Sequence, residues 1–228
     1  MTLNLQQKKD LIAHLSLHAT KNKIEKILEV SKERTRYLTL VLEDIYQAHN
    51  ASAVVRTCDV FGIQDLYIVE QKNMLTVNDN VALGSTKWVD LKRYNAPEKS
   101  NIENCILDLK KNGYKIVATT PHTKDCNLSD LKIDQKTALL FGTEETGLTE
   151  KAISLADEYV KIPMYGFSES LNISVCAAIC LYDLTSRMRK EHRPWQFGEE
   201  ELIDLQLDWF RKVVVGAAGY EKLFFKSK

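Results

Sequence analysis

The chain alternates short, continuous apolar runs with longer stretches whose apolar positions recur every three to four residues. Residues 5–36 are polar with a helical period and predict one or two amphipathic helices. The run LTLVL at 38–42 predicts a buried strand. Asn50 then precedes ASAVVRTCDVFG, a helical pattern that stops at Gly62. A strand is predicted at 66–69. Residues 71–98 are polar and irregular, with one short strand candidate at Trp88 and Val89. A helix is predicted at 101–112, ending at Gly113. Apolar strands follow at 114–119 and 138–141, separated by a polar loop. Residues 149–156 predict a helix, 159–162 a strand and 163–169 a loop. A long helix is predicted over 170–190, broken by Pro194, and a further amphipathic helix over 199–215.

Strands that alternate with helices predict βαβ units, hence an α/β fold with a parallel sheet covered on both faces. Strands that are apolar throughout agree, because such a sheet has no solvated face. The expected organisation is a core over 37–190, a helical basic extension over 1–36 and a helical C-terminal extension over 191–228.

Composition narrows the class. The chain has 228 residues, 44% hydrophobic and 27% charged, long enough for a large core without disulfide or metal staples. Disorder and a disulfide scaffold are excluded as descriptions of the whole chain. No apolar run approaches the ~20 residues that span a bilayer. The N-terminus lacks the pattern of a secretory signal, so a cytoplasmic protein with no membrane association is expected. The five cysteines, Cys58, Cys105, Cys126, Cys176 and Cys180, form no CxxC pair. They are expected to be reduced, with no metal site.

The net charge is zero, but its distribution is uneven. Residues 1–36 carry Lys8, Lys9, Lys21, Lys23, Lys26, Lys32, Arg34 and Arg36 against Asp10, Glu25, Glu29 and Glu33. Arg187, Arg189, Lys190 and Arg193 form a second basic cluster, with Glu191 the lone acid. Such clusters are either solvated helix faces or phosphate contacts.

Three segments carry polar residues that a plain α/β core does not require. The first is HNASAVVRTC, residues 49–58, where Asn50 reads locally as a helix cap and Arg56 follows in the second turn. The second is LFGTEETGL, residues 140–148, a strand running into a loop with Gly142 and Gly147. It is an ordinary strand-to-helix turn or a place where a small ligand approaches the backbone. The third is IPMYGFSESLNISV, residues 162–175. Ser170 reads as a cap there, whereas Asn172, an amide opening a buried helix, must find partners. His14, His18, His49, His122 and His192 complete no serine triad.

In this order and spacing, HNASAVVRTCDVFGI, LLFGTEETGL and IPMYGFSESLNISVCAAI resemble the three motifs of the SpoU family. These are RNA 2′-O-ribose methyltransferases dependent on S-adenosyl-L-methionine (AdoMet), within the knotted SPOUT superfamily. The resemblance covers about residues 37–190. The N-terminal helical segment, GSTKWV at 84–89 and Asp208-Trp209-Phe210-Arg211 are similar to members that methylate guanosine 18 of tRNA. The resemblance implies a deep C-terminal trefoil knot, a homodimer, AdoMet as cofactor and tRNA as partner. It implies Arg56, Asn50, Glu144, Ser170 and Asn172 as the catalytic set. AdoMet would be held at Thr119, Gly142, Ile162, Met164 and Leu171, with Gly166 nearby. RNA contact is expected from Lys21, Lys23, Arg34, Arg36, Arg187 and Arg189, with His49 either touching RNA or structural. The competing readings are a ribosomal RNA methyltransferase, a catalytically silent RNA-binding protein on the same fold, and a small-molecule α/β enzyme.

Overall fold

The structure, a computed structural model, describes residues 3–97, 99–120, 126–191 and 194–226. The sequence candidates His122, His192 and Arg193 lie outside these residues. In chain order, helices α1 (Leu5–Ser16) and α2 (Lys21–Lys32) precede strand β1 (Leu38–Glu43) and helix α3 (Ala48–Val60). Then come β2 (Asp65–Val69), a short helix α4 (Asp79–Ala82), β3 (Asp90–Tyr94), α5 (Asn101–Lys111) and β4 (Lys115–Thr119). Next are β5 (Cys126–Asn127), β6 (Thr137–Phe141), α6 (Glu150–Leu155), β7 (Glu158–Lys161) and α7 (Ile173–Lys190). Helices α8 (Glu199–Val213) and α9 (Ala217–Lys226) close the chain. It forms two compact units: Arg36–Trp195, and Met1–Thr35 together with Gln196–Lys228.

The larger unit is built on a parallel sheet of strand order β3-β2-β1-β6-β4-β7-β5. β1 lies at its centre, with Leu40 level with Leu66 on one side and Leu139 on the other. All six β1 residues are buried. Their alternation serves two layers, because successive side chains leave opposite faces of a strand. Leu40 and Leu42 pack with Val54, Val55, Cys58, Leu181 and Leu184 of α3 and α7. Val41 packs on the other face with Ile102, Ile106 and Leu109 of α5 and Ala152 of α6. Each fully buried Leu or Ile contributes ~1.5–3 kcal/mol.

Helix α3 ends where its sequence predicts. Gly62 adopts φ 78°, and the N–H of Ile63 returns to the Cys58 carbonyl at 2.8 Å. The turn entering α3 is held by Asp44, whose Oδ1 accepts the backbone N–H groups of Gln71, Lys72 and Asn73 at 2.8–3.1 Å. The strand candidate at Trp88 and Val89 is displaced to Asp90–Tyr94. That edge strand exposes Lys92 and Arg93, so it carries no apolar run to read. Helix α7 starts at Ile173, three residues later than predicted. All five cysteines are free; Cys58, Cys105 and Cys180 are buried.

In the terminal unit, Leu11 and Leu15 of α1 are buried along with Leu205, Trp209 and Phe210 of α8. Lys8 bridges to Asp204 at 2.6 Å and Lys9 to Glu199 at 2.6 Å, linking α1 to α8. Gln206 donates to the Ser31 hydroxyl of α2 at 2.9 Å. The two extensions expected separately at either end of the chain thus form one body.

Candidate active site

The site lies at the carboxyl ends of the central strands, where open α/β sheets place their ligand crevices. Asn50 is not the cap of α3. Gln47 holds that position, and Asn50 sits in the first turn with its side chain buried. Its Nδ2 donates to Glu144 Oε1 at 2.7 Å and to Gln47 Oε1. Asn172, and not Ser170, caps α7: its Oδ1 accepts the backbone N–H of Ser174 at 2.9 Å and the Ser174 hydroxyl at 2.6 Å. Asn172 Nδ2 donates to Asn50 Oδ1 at 3.1 Å and to Glu144 Oε1 at 3.0 Å. One residue from each of the three segments therefore closes a triangle. The amide of Asn172 finds the partners that its position demanded.

Glu144 is held at the tip of a closed loop. Thr143 and Gly147 exchange backbone hydrogen bonds at 3.0 and 3.1 Å, and the Thr143 and Thr146 hydroxyls meet at 2.8 Å. A Cβ on Gly142 would overlap the backbone of Gly147 and Leu148. The close approach that requires glycine at 142 is thus made by the chain's own loop. Glu144 Oε1 accepts both amides, while its Oε2 has no hydrogen-bond partner among the described residues, and the side chain is exposed. Behind the loop, the buried Glu43 carboxylate accepts the N–H and hydroxyl of Thr149 at 2.9 and 2.6 Å. Burial pushes Glu43 up from 4.5, opposed by those two bonds.

Arg56 and Ser170 are not part of the triangle. Both are exposed and make no hydrogen bond or ion pair with any described residue. Arg56 lies six positions after Asn50, about 120° away around the helix at ~100° per residue. Thr119, Gly142 and Ile162 sit at the ends of β4, β6 and β7, three adjacent strands. The Thr119 hydroxyl donates to the Leu140 carbonyl at 2.7 Å. Met164 and Gly166 are exposed, and Leu171 is half-buried. Tyr165 and Phe167, which the motif reading passed over, are almost fully exposed on the same loop.

The basic residues divide. Lys21 and Lys23 are exposed on α2, Lys21 beside Glu25 at 3.7 Å. The expectation for Arg34 is corrected: it is 1% exposed, with its guanidinium 5.4 Å from the Trp209 ring centroid. Arg36 is held by Asp65 at 3.0 Å and Asp90 at 3.2 Å. Arg187 is held by Asp183 and by the carbonyls of Leu128 and Leu131, and Arg189 lies 4.5 Å over the Trp195 ring. Four of the six thus pack or pair within the fold, and the two lysines stay exposed. Sequence reasoning missed Gln47 and Glu43. For Gln47 a signal existed, since it stands one helical turn before Asn50.

Comparison with known proteins identifies the family. The model of the SpoU rRNA Methylase family matches residues 37–182. A tRNA (guanosine(18)-2′-O)-methyltransferase of Borreliella burgdorferi is 46% identical over 194 residues, 85% of each chain. The crystal structure of the A. aeolicus TrmH/SpoU tRNA modifying enzyme superposes with TM-score 0.75 at 29% identity, over 86% of this chain and 98% of that one. AviRb of Streptomyces viridochromogenes, solved in complex with AdoMet, shares the fold with TM-score 0.58 at 23% identity, over 70% and 60%. With more than half its length matched by the family model and a relative of this identity, the chain belongs to the SpoU rRNA methylase family.

Proposed function

We propose that this protein methylates the ribose 2′-OH of guanosine 18 in the D-loop of tRNA, with AdoMet as methyl donor. One observation carries the reading. Asn50, Glu144 and Asn172, separated by 94 and 28 residues, meet through hydrogen bonds of 2.7–3.1 Å at the carboxyl ends of the strands. The name carried by the Borreliella burgdorferi relative supports the choice of tRNA and of position 18.

The residues present fit AdoMet. Three adjacent strand ends offer backbone groups at Thr119, Gly142 and Ile162, and Met164 and Leu171 offer apolar contact beside them. When bound, AdoMet supplies a methyl group already activated by its sulfonium. What remains for the protein is alignment and charge control. Asn50 and Asn172 orient Glu144, whose open Oε2 faces the exposed side. In this reading Ser170 holds the ribose. Arg56 stays protonated at any ordinary pH, so its part is to bind a substrate phosphate and stabilise charge developing on the 2′-oxygen. Lys21 and Lys23 contact tRNA phosphates.

A homodimer completes the reading. Val175, Ile179 and Tyr182 of α7 are 46%, 37% and 66% exposed and line one apolar face with Ala53 of α3 and Phe61. A contiguous exposed apolar face calls for a partner. We infer that a second copy is seated there and that its Arg56 completes the polar triangle, which a protomer's own Arg56 does not join. The strand order supports a trefoil knot, because β6 inserts between β1 and β4 and β7 then lies beyond β4.

The test uses radiolabelled AdoMet, purified protein and an unmodified tRNA transcript, with methylated riboses mapped afterwards. Label on the D-loop guanosine is expected. Label confined to ribosomal RNA would replace the substrate, and AdoMet binding without transfer to any RNA would leave a silent RNA-binding protein.

A further inference from the structure

Gln47 occupies the N-cap of α3, a position that favours Ser, Thr, Asp or Asn because their short side chains reach the first free N–H groups. Its backbone has the cap conformation, φ −78° and ψ 99°, yet its side chain caps nothing. It turns instead to Asn50. Gln47 Oε1 accepts one proton of Asn50 Nδ2, and the other goes to Glu144. Gln47 Nε2 donates to the Tyr46 hydroxyl at 3.0 Å.

These bonds have a direction. An amide has a donor end and an acceptor end, and flipping it exchanges them. The Glu144 carboxylate only accepts, so it demands the NH2 end of Asn50 and leaves Asn50 Oδ1 to receive Asn172 Nδ2 at 3.1 Å. The Gln47 carbonyl oxygen takes the second proton of that NH2 group and holds it in this setting. Asn172 Oδ1 is taken by Ser174. Every polar atom of both asparagine side chains is engaged in this one arrangement, and Glu144 receives two donors on a single oxygen. Without the Gln47 acceptor, Asn50 has one unanswered proton, and a flip would set its oxygen against the Glu144 carboxylate.

We propose that Gln47 is a positioning residue. It fixes the amide orientation of Asn50 and, through it, the setting of Asn172 and Glu144. This rests on the methyl-transfer reading only for its effect on turnover; the orientation itself is independent of substrate.

The test compares Gln47→Leu and Gln47→Glu in the full chain. Gln47→Leu removes the acceptor, and kcat is expected to fall about 100-fold, the scale of an ångström-sized misplacement. KM for tRNA should stay near wild type, while the thermal midpoint should fall by a few degrees, because Asn50 keeps one buried N–H without a partner. Gln47→Glu keeps an oxygen for Asn50 and should recover most of the turnover. Its acid limb should move to higher pH, because two carboxylates sharing one NH2 group raise each other's pKa. A second readout needs no RNA. The side-chain amide protons of Asn50, assigned by their loss in Asn50→Ala, should exchange about tenfold faster in Gln47→Leu than in wild type, the loss of one hydrogen bond. Turnover of Gln47→Leu within twofold of wild type, equal impairment of both variants, or unchanged amide exchange overturns the proposal. If the wild-type protein methylates no RNA, the functional reading fails while the exchange measurement still decides the role of Gln47.

Discussion

Arg56 is exposed and its side chain has no partner among the described residues, while its helix neighbours Val54, Val55 and Cys58 are buried. Removing Arg56 leaves no unpaired group behind and opens no cavity, so Arg56→Ala should keep its thermal midpoint. AdoMet affinity, read by calorimetry, should persist while kcat falls about 10²–10³-fold, the scale of losing one group that stabilises developing charge. Near-normal turnover would remove Arg56 from the site. Arg34 is the opposite case. In the sequence Arg34 stands in a polar, basic stretch and reads as a surface cation, and only packing reassigns it: it is buried against Trp209, a residue 175 positions away in sequence. Similarly, Asn50 and Ser170 read as helix caps because caps are what isolated Asn and Ser most often make. The bonds that engage the Asn50 side chain reach Glu144 and Asn172, 94 and 122 residues along the chain, beyond any local window, whereas Ser170 yields the cap to Asn172 only two positions on.

At the scale of elements, those with a strong period were legible and those stabilised by their setting were not. β1, β6 and α3 bury apolar residues along their length and carry that in their pattern. β3 is a polar edge strand with Asp90, Lys92 and Arg93 among its five residues, and β5 is two residues long. Both exist because a neighbouring strand offers free hydrogen-bonding groups. Helix α9 follows Gly216 at φ 76°, where a reader of the sequence stops the preceding helix. The ends of β1 and β2 also carry the pH response. Burial, opposed by Arg36, holds the Asp65 carboxyl above its usual 3.8. The folded state therefore binds that proton more tightly than the unfolded chain does. The Asp65 contribution to stability is highest below about 3.8 and declines as pH rises toward the raised folded value. Thermal midpoints of wild type and Asp65→Asn over pH ~4–7 should show the wild type losing ground to the variant as pH rises. A constant difference would contradict the assigned direction.

At the scale of the whole molecule, two surfaces make separable predictions. The apolar face of α3 and α7 is assigned to a second copy. Tyr182→Asp should therefore yield a monomer by analytical ultracentrifugation, with turnover lost and the circular dichroism spectrum unchanged. A dimer that persists would move the interface elsewhere. The exposed lysines of α2 are assigned to RNA. Charge reversal at Lys21 and Lys23 should weaken tRNA binding and lower the slope of log affinity against log salt by about 2, one for each lost phosphate contact. An unchanged slope would place the RNA on another surface.

The terminal unit, in which α1 and α2 pack with α8, sets an order of events during synthesis. Residues 1–35 emerge from the ribosome first, but the helix that covers Leu11 and Leu15 begins at Glu199. At ~5–20 residues per second, the nascent chain carries an uncovered apolar face for roughly 10–30 s while the parallel sheet is made behind it. The first helices synthesised are thus among the last to find their place, and a ribosome stalled before α8 holds a chain whose leading end is the part most exposed to chaperones and proteases.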